Sequence, residues 1–425
     1  METMPQLFEL LRSQELAHVV GVATKVLLAH AARSGALVTP KGVVALRTAL
    51  PKEYLPHTAV IIDLCVGNQK AERLGKAQGG WLFTSVGAEQ STHPLIAAYH
   101  AEMFKGCRRV VEVCTGSGAD AQAIAAVVDH VTTFESDAIT AALAQGNFLR
   151  AGIQNVEVVH AAVPCDAWEL AMQQADGLWA DPSRRTPSGK RTRSIAHHDP
   201  PLALLVTHPV VSLMRAVGVK LGPADDVPPE LTRGLCREYI GYGAECKELL
   251  LRTRTTVEVT ATIVKGIGGL EQIHNQESRI QSDNVRIQNE EHNVSHALVS
   301  HEVLLEPHAT LIASGLLSSF YKEHGITPID PRIAYGLIAE DPGPSEWWTR
   351  FRVLAVDEGV SEKRMQIRIR EFGWNKHTEF KKRGWPRDPE ELRRALTFTE
   401  SDHHGVVLIV RVGDGHRTYY AERLV

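Results

Sequence analysis

From Arg109 onward, short apolar runs alternate with helical ones, and this alternation restricts the fold more than any other feature of the chain. Val110–Val113, Val131–Phe134, Val156–Val159 and Gly177–Ala180 read as strands. Asp120–Val128, Ala138–Ala151 and a stretch near Ala167–Gln174 between them carry helical spacing. A strand followed by a helix returns to pair in parallel with its neighbour, because a parallel pair needs a long crossover. The right-handed crossover then predicts an α/β domain, a doubly wound Rossmann-like sheet with helices on both faces.

The flanking regions read differently. Between Leu7 and Leu50 apolar residues recur three and four apart, as in Leu7, Leu10 and Leu11 and again in Val19, Val22, Val26 and Leu27, which predicts helices. A more irregular segment follows, running through Gly79-Gly80-Trp81-Leu82-Phe83-Thr84. Pro94 then suits the first turn of a helix reaching Phe104. Residues 1–105 therefore form a helical N-terminal region.

A central domain is expected over 106–300. Within it Leu202–Val219 is largely apolar and broken at Pro209, and Arg237–Tyr242 and Thr255–Val264 read as strands. From 265 to 296 the composition turns polar without a hydrophobic period, as in an exposed loop or hairpin insertion. Residues 301–425 are expected to form a small α+β domain. It closes with strands Val406–Val410 and Thr418–Ala421 around the turn Gly413-Asp414-Gly415.

With 425 residues, 44% of them hydrophobic, the chain exceeds one core and can bury several. A net charge of −4 excludes a uniformly basic nucleic-acid coat, though not a local basic face. The six cysteines include no C-x-x-C pair, which argues against a zinc ribbon or a disulfide scaffold. The first twelve residues carry Glu2 and Glu9 and lack the basic start of a secretory leader. The most apolar early stretch, Val19–Ala31, is too short to span a membrane and is interrupted by Lys25 and His30. A soluble cytoplasmic protein without membrane partners is the expectation.

Three signals fall in the order that a nucleotide site on such a sheet requires. Gly116-x-Gly118 follows the first strand, where glycines allow a sharp turn and close approach of a ligand. Glu135 ends the next strand at the spacing of a ribose-binding acid. Asp181-Pro182 ends the fourth strand, at the carboxyl edge where these sheets bind ligands. Asp120 stands where a dinucleotide would place its pyrophosphate, so anion would meet anion. With Glu112 also close to the loop, the acids suit a cationic ligand, and S-adenosylmethionine (SAM) fits where NAD does not.

These motifs resemble class I SAM-dependent methyltransferases with a C-terminal THUMP-like domain. The resemblance runs from about Trp81 to the C-terminus. It rests on Trp81-Leu82-Phe83-Thr84 with Glu89-Gln90-Ser91-Thr92, on the loop from Glu112 to Asp120, and on Ala180-Asp181-Pro182-Ser183-Arg184-Arg185. Val219-Lys220-Leu221-Gly222-Pro223, Leu305-Glu306-Pro307 and Phe380-Lys381-Lys382-Arg383-Gly384 complete it. Glu112 replaces the usual aspartate, Ala119 replaces a glycine, and Ala162 stands where an acid often contacts adenine. The resemblance and the residues together give Gln90, Glu112, Thr115, Gly116, Gly118, Asp120, Glu135, Ser136 and Asp181 as cofactor-binding candidates.

Asp181, Pro182, Arg184 and Arg185 are the catalytic candidates. Related enzymes acting on exocyclic amines carry an aromatic residue in this motif, whereas this chain offers two guanidinium groups, which suit phosphate or carboxylate. With Lys190, Arg191 and Arg193 they form a candidate grip on an RNA backbone, or else a solvated basic loop. Lys220 reads as a residue of the same cleft or as ordinary surface. Cys114 and Cys165 are not placed as nucleophiles, and the histidine pairs lack metal-ligand spacing, so no metal is expected. Basic and aromatic residues interleave from Trp347 to Arg394, and Lys381, Lys382 and Arg383 are their densest point. They are expected either to contact RNA or to solvate a small domain. The resulting expectation is methylation of RNA. The alternatives are a methyltransferase acting on a small molecule or protein, and a non-catalytic RNA-binding protein with a degenerate domain.

Overall fold

The computed structural model describes residues 4–31, 36–183, 195–253, 257–265, 269–274 and 302–425. They divide into two compact units, one of residues 1–238, 248–258 and 264–269, the other of 239–247, 259–263 and 270–425.

The first unit opens with helices α1 (Met4–Arg12), α2 (Leu16–Ala29), α3 (Pro40–Ala49) and α4 (Thr58–Arg73). Their buried leucines and isoleucines, among them Leu11, Leu16, Leu27, Leu46, Ile61 and Leu64, form one apolar cluster. The sixteen-residue α4 corrects the expectation of an irregular segment there. Its Val60-Ile61-Ile62 run and Gly67 disfavour a helix locally. Burial of Ile61, Leu64, Cys65 and Ala71, which share one helical face, outweighs that preference. Two short helices follow, α5 (Ser85–Gln90) and α6 (Pro94–Glu102).

The alternation then unfolds in order as β1 (Arg109–Val113), α7 (Ala119–Ala125), β2 (His130–Glu135), α8 (Ala138–Arg150), β3 (Val156–His160), α9 (Asp166–Gln174) and β4 (Gly177–Ala180). Beyond α10 (Leu202–Val206) the chain forms β5 (Ala216–Leu221), β6 (Leu235–Tyr242) and β7 (Glu245–Thr253). The strand order is β3-β2-β1-β4-β5-β7-β6. Strands β1 to β5 pair in parallel, and β7 runs antiparallel to β5, with Lys220 opposite Leu250. The order reverses at β1, which sets a crevice at the carboxyl ends of β1 and β4. Val111, Val113, Leu178, Trp179, Val217 and Val219 are all buried, as central strands covered on both faces require.

The second unit takes in β8 (Val259–Val264) and β9 (Leu270–His274). These strands are linked by hydrogen bonds from Gln272 to Thr262 and between Thr260 and His274. Part of the expected polar insertion is thus a strand, and its residues 266–268 and 275–296 lie outside the described residues. A seven-stranded sheet follows, built from β10 (Val303–Pro307), β11 (Thr327–Asp330), β12 (Ile333–Ile338), β13 (Trp348–Glu358), β14 (Glu379–Arg383), β15 (Val406–Val412) and β16 (Gly415–Leu424). Its order is β11-β12-β10-β13-β16-β15-β14. Helices α11 (Ala309–Ser314), α12 (Leu317–Glu323), α13 (Glu362–Glu371) and α14 (Pro389–Ala395) complete the unit.

One face of this sheet packs Val407, Ile409 and Tyr420 against Met365, Ile369 and Leu392 from α13 and α14. The opposite face buries Leu304, Tyr335, Phe351, Leu408 and Tyr419, and that cluster contains strand side chains without a helix. The sheet achieves this by curling. Asp330 at the end of β11 accepts the Gly413 N–H from the β15–β16 turn at 2.8 Å.

Candidate active site

Strand β1 ends in a loop whose backbone is left-handed at Cys114 (φ 71°), Gly116 (φ 54°) and Gly118 (φ 89°). Gly118 caps α7. A Cβ there would lie 2.5 Å from the Phe148 ring, so both conformation and space require glycine. A Cβ on Gly116 would meet nothing within 4 Å, and this part of the loop is open to an approaching ligand. The Gly116 N–H donates to Glu135 Oε2 at 3.0 Å, and Asp137 N–H donates to Glu135 Oε1 at 3.0 Å. The half-buried acid at the end of β2 is thereby held beside the glycines, while Ser136 is exposed. Burial raises the Glu135 carboxyl above the usual range, and the backbone donors of Asp137 and Gly116 oppose it.

Asp181 N–H donates to Val113 O at 3.2 Å, which aligns the end of β4 with the start of the loop. The Asp181 carboxylate pairs with Lys220 Nζ at 2.7 Å. Lys220 does not follow a helix or stand on the surface. It lies within β5 and is buried. Its ammonium also donates to Thr92 Oγ1 at 2.9 Å. Pro182 is buried beside Asp181. Arg184, Arg185, Lys190, Arg191 and Arg193 lie outside the described residues.

Glu112 and Asp120, the acids expected to suit a cationic ligand, are both buried and already engaged by protein groups. Glu112 is 1% exposed and accepts from Thr133, whose hydroxyl also bonds Thr115. Burial pushes its carboxyl well above the ordinary range, against the hydrogen bond from Thr133. Asp120 is ionised but already engaged. It accepts from Thr92 Oγ1 at 2.6 Å and pairs with His100 Nδ1 at 2.9 Å. The other His100 nitrogen pairs with Glu248 on β7. Burial alone would lower His100, yet Glu248 and Asp120 raise it to about 9.

Sequence reasoning passed over His100 and Glu248 altogether. The available signals were a histidine among the apolar residues of α6 and a glutamate heading Leu249-Leu250-Leu251. It also missed Asn147 of α8, which is fully buried and donates to Ser117 O in the glycine loop at 3.1 Å. Gln90 ends α5 and is exposed. Cys114 is a poor nucleophile, because burial raises its thiol well above the usual range. No group of three or more His, Cys, Asp or Glu that could hold a metal occurs among the described residues. None of the described helices is long and apolar enough to cross a membrane.

In the second unit, Lys381 pairs with Glu306 and lies over the Phe351 ring. Arg383 reaches the same carboxylate at 3.5 Å and lies over Tyr335. Lys382 is exposed and donates to Arg387 O at 2.7 Å.

No family model matches the chain. A crystal structure of a methyltransferase candidate from Porphyromonas gingivalis W83 superposes with a TM-score of 0.70 over 97% of this chain and 98% of that one, at 16% identity. The first unit has the Rossmann-like methyltransferase fold. Two curated relatives from Mycobacterium tuberculosis, strains CDC 1551 / Oshkosh and ATCC 25618 / H37Rv, each carry the name "Uncharacterized S-adenosylmethionine-dependent methyltransferase". Each is 26% identical over 348 residues, which cover 81% of this chain and 89% of the relative.

Proposed function

We propose that this chain, a SAM-dependent methyltransferase, methylates RNA. The observation that carries the cofactor assignment is the edge formed by the Gly116–Glu135 contact and the Asp181–Val113 contact, 3.0 and 3.2 Å respectively. The open space over Gly116 and the two-pronged carboxylate of Glu135 fit a nucleoside ribose. In this reading Gly116, Gly118, Thr115, Glu135 and Ser136 hold the adenosine side. Gln90 and Asp181 line the methionyl side, with the buried Glu112 and Asp120 behind it. The cofactor supplies an electrophilic methyl group, and the protein orients the acceptor and excludes water.

Asp181 and Pro182 stand at the edge where the acceptor enters. Arg184 and Arg185 are proposed to hold its phosphate, with Lys220 acting through Asp181. The second unit is read as THUMP-like, with Lys382 as its exposed phosphate contact. Radiolabelled methyl transfer to total RNA, set against protein and small-molecule fractions, tests the substrate. Label in the RNA fraction supports the proposal, and label confined to another fraction overturns it.

The ion pairs of Lys381 and Arg383 with Glu306 favour a second reading, in which these two cations stabilise the curled sheet and the acceptor is a small molecule or protein. RNA affinity that is weak and insensitive to salt would support that alternative. A non-catalytic RNA-binding role is separated by calorimetry, because a degenerate domain would not bind SAM.

A further inference from the structure

A cavity of about 320 Å³ lies within the first unit, walled by α2, α4 and the segment leading to Phe83. Val20, Gly21 and Lys25 of α2, Glu72 of α4, and Trp81 and Phe83 line it. Gly116, Glu135 and Asp181 are not among its lining residues, so it is separate from the cofactor edge. Its volume falls at the lower end of small-molecule sites.

The two helices each carry a glycine, for different reasons. A Cβ on Gly67 of α4 would lie 2.0 Å from Phe83 O, so the packing of α4 on that segment requires glycine. A Cβ on Gly21 of α2 would meet nothing within 4 Å. Glycine weakens a helix interior, and no neighbouring chain atom demands it at Gly21. It leaves room for a molecule lying against the α2 backbone.

The polar groups of the cavity lack internal partners. Lys25 is exposed and makes no ion pair among the described residues. Glu72 makes none there either, and its carboxylate accepts only from Gln69, at 3.3 Å. Trp81 is 2% exposed, and its indole N–H has no acceptor among the described residues. An empty packing void is apolar, whereas this cavity carries a cation, an anion and a buried donor.

We infer that the cavity is a regulatory site for a free α-amino acid with an apolar side chain. Its carboxylate matches the donors of Lys25 and Trp81, its ammonium matches Glu72, and its side chain packs on Val20 and Phe83. Leu82, in the same wall, is bonded to Asn147, which donates to Ser117 O in the glycine loop. Occupancy therefore steadies that loop and raises affinity for the cofactor, and the coupling is reciprocal. This link rests on the cofactor assignment above.

The test is calorimetry on the full chain with L-leucine and L-phenylalanine as probes. Gly21→Leu fills the cavity with a better helix former, so the variant should fold. Saturable binding is expected in the wild type. It should be at least about tenfold weaker in Gly21→Leu, and equally so for leucinamide and N-acetyl-leucine, which lack the carboxylate and the ammonium respectively. Saturating L-leucine should tighten S-adenosylhomocysteine binding about fivefold in the wild type and leave Gly21→Leu unmoved. Three results each overturn the inference: no saturable heat up to about 10 mM probe, equal binding by Gly21→Leu, or S-adenosylhomocysteine affinity indifferent to L-leucine. If S-adenosylhomocysteine itself does not bind, the cofactor assignment fails, a separate outcome that leaves the amino-acid titrations readable.

Discussion

Asn147 and Leu82 exchange two hydrogen bonds: the Leu82 N–H donates to Asn147 Oδ1 at 2.9 Å, and Asn147 Nδ2 donates to Leu82 O at 3.0 Å. The same amide nitrogen donates to Ser117 O, so one buried side chain ties the Trp81-Leu82-Phe83 segment to the glycine loop. Asn147→Leu should leave buried backbone groups unpaired and cost about 2–4 kcal/mol. Urea unfolding would read this as a lower midpoint, and SAM affinity should fall because the loop loses its anchor. Unchanged stability and affinity would contradict the role.

The two glycines of the loop should respond differently to alanine. Gly118→Ala meets both a left-handed φ of 89° and the Phe148 ring. Gly116→Ala meets only a left-handed φ of 54°, a strain of about 1–2 kcal/mol. Thermal unfolding should therefore rank Gly118→Ala well below Gly116→Ala. In cofactor binding Gly116→Ala should show the larger loss relative to its stability, because its methyl group would project into the open space over the loop.

The contrast between β1 and α4 shows what the sequence makes legible. Strands β1 to β4 announce themselves because each is a short apolar run bounded by a helix, so local pattern and tertiary burial agree. In α4 they conflict, since a β-branched run and Gly67 must be helical to bury Ile61 and Leu64. The glycine loop, Glu135 and Asp181 were legible from spacing along the chain. The partnership of His100 with Glu248 was not, because the two are separated by 148 positions and meet only when β7 joins the sheet. Lys220 stayed divided between cleft and surface for a related reason. Its strand follows Pro209 and short turns of helix, and only the pairing of β5 with β4 and β7 shows that it faces inward.

Lys220→Met should be strongly destabilising. It would leave the Asp181 carboxylate half-buried without its cation and Thr92 without a donor. Removing one partner of a buried pair costs about 3–5 kcal/mol, partly relieved here if Asp181 takes up a proton. The double variant Lys220→Met with Asp181→Asn should recover part of that stability, though not activity. Denaturant melts of the four proteins in this cycle would check it, and strict additivity would show that the pair is not coupled.

His100 makes stability depend on pH in a defined direction. Its folded value of about 9 lies above the ordinary 6.5, because Glu248 and Asp120 outweigh burial. The native state therefore binds the proton more tightly than the unfolded state. That contribution is fully present below about pH 6.5 and is lost as the pH rises through about 9. For a shift of this size it amounts to about 3 kcal/mol. Comparing wild type with His100→Gln isolates it from the other titrating groups. The difference in unfolding free energy should be largest near pH 6 and should shrink steadily toward pH 10. A difference that stays constant across this range would mean that His100 is neutral in the native protein. The charge between Asp120 and Glu248 would then be supplied by some other group.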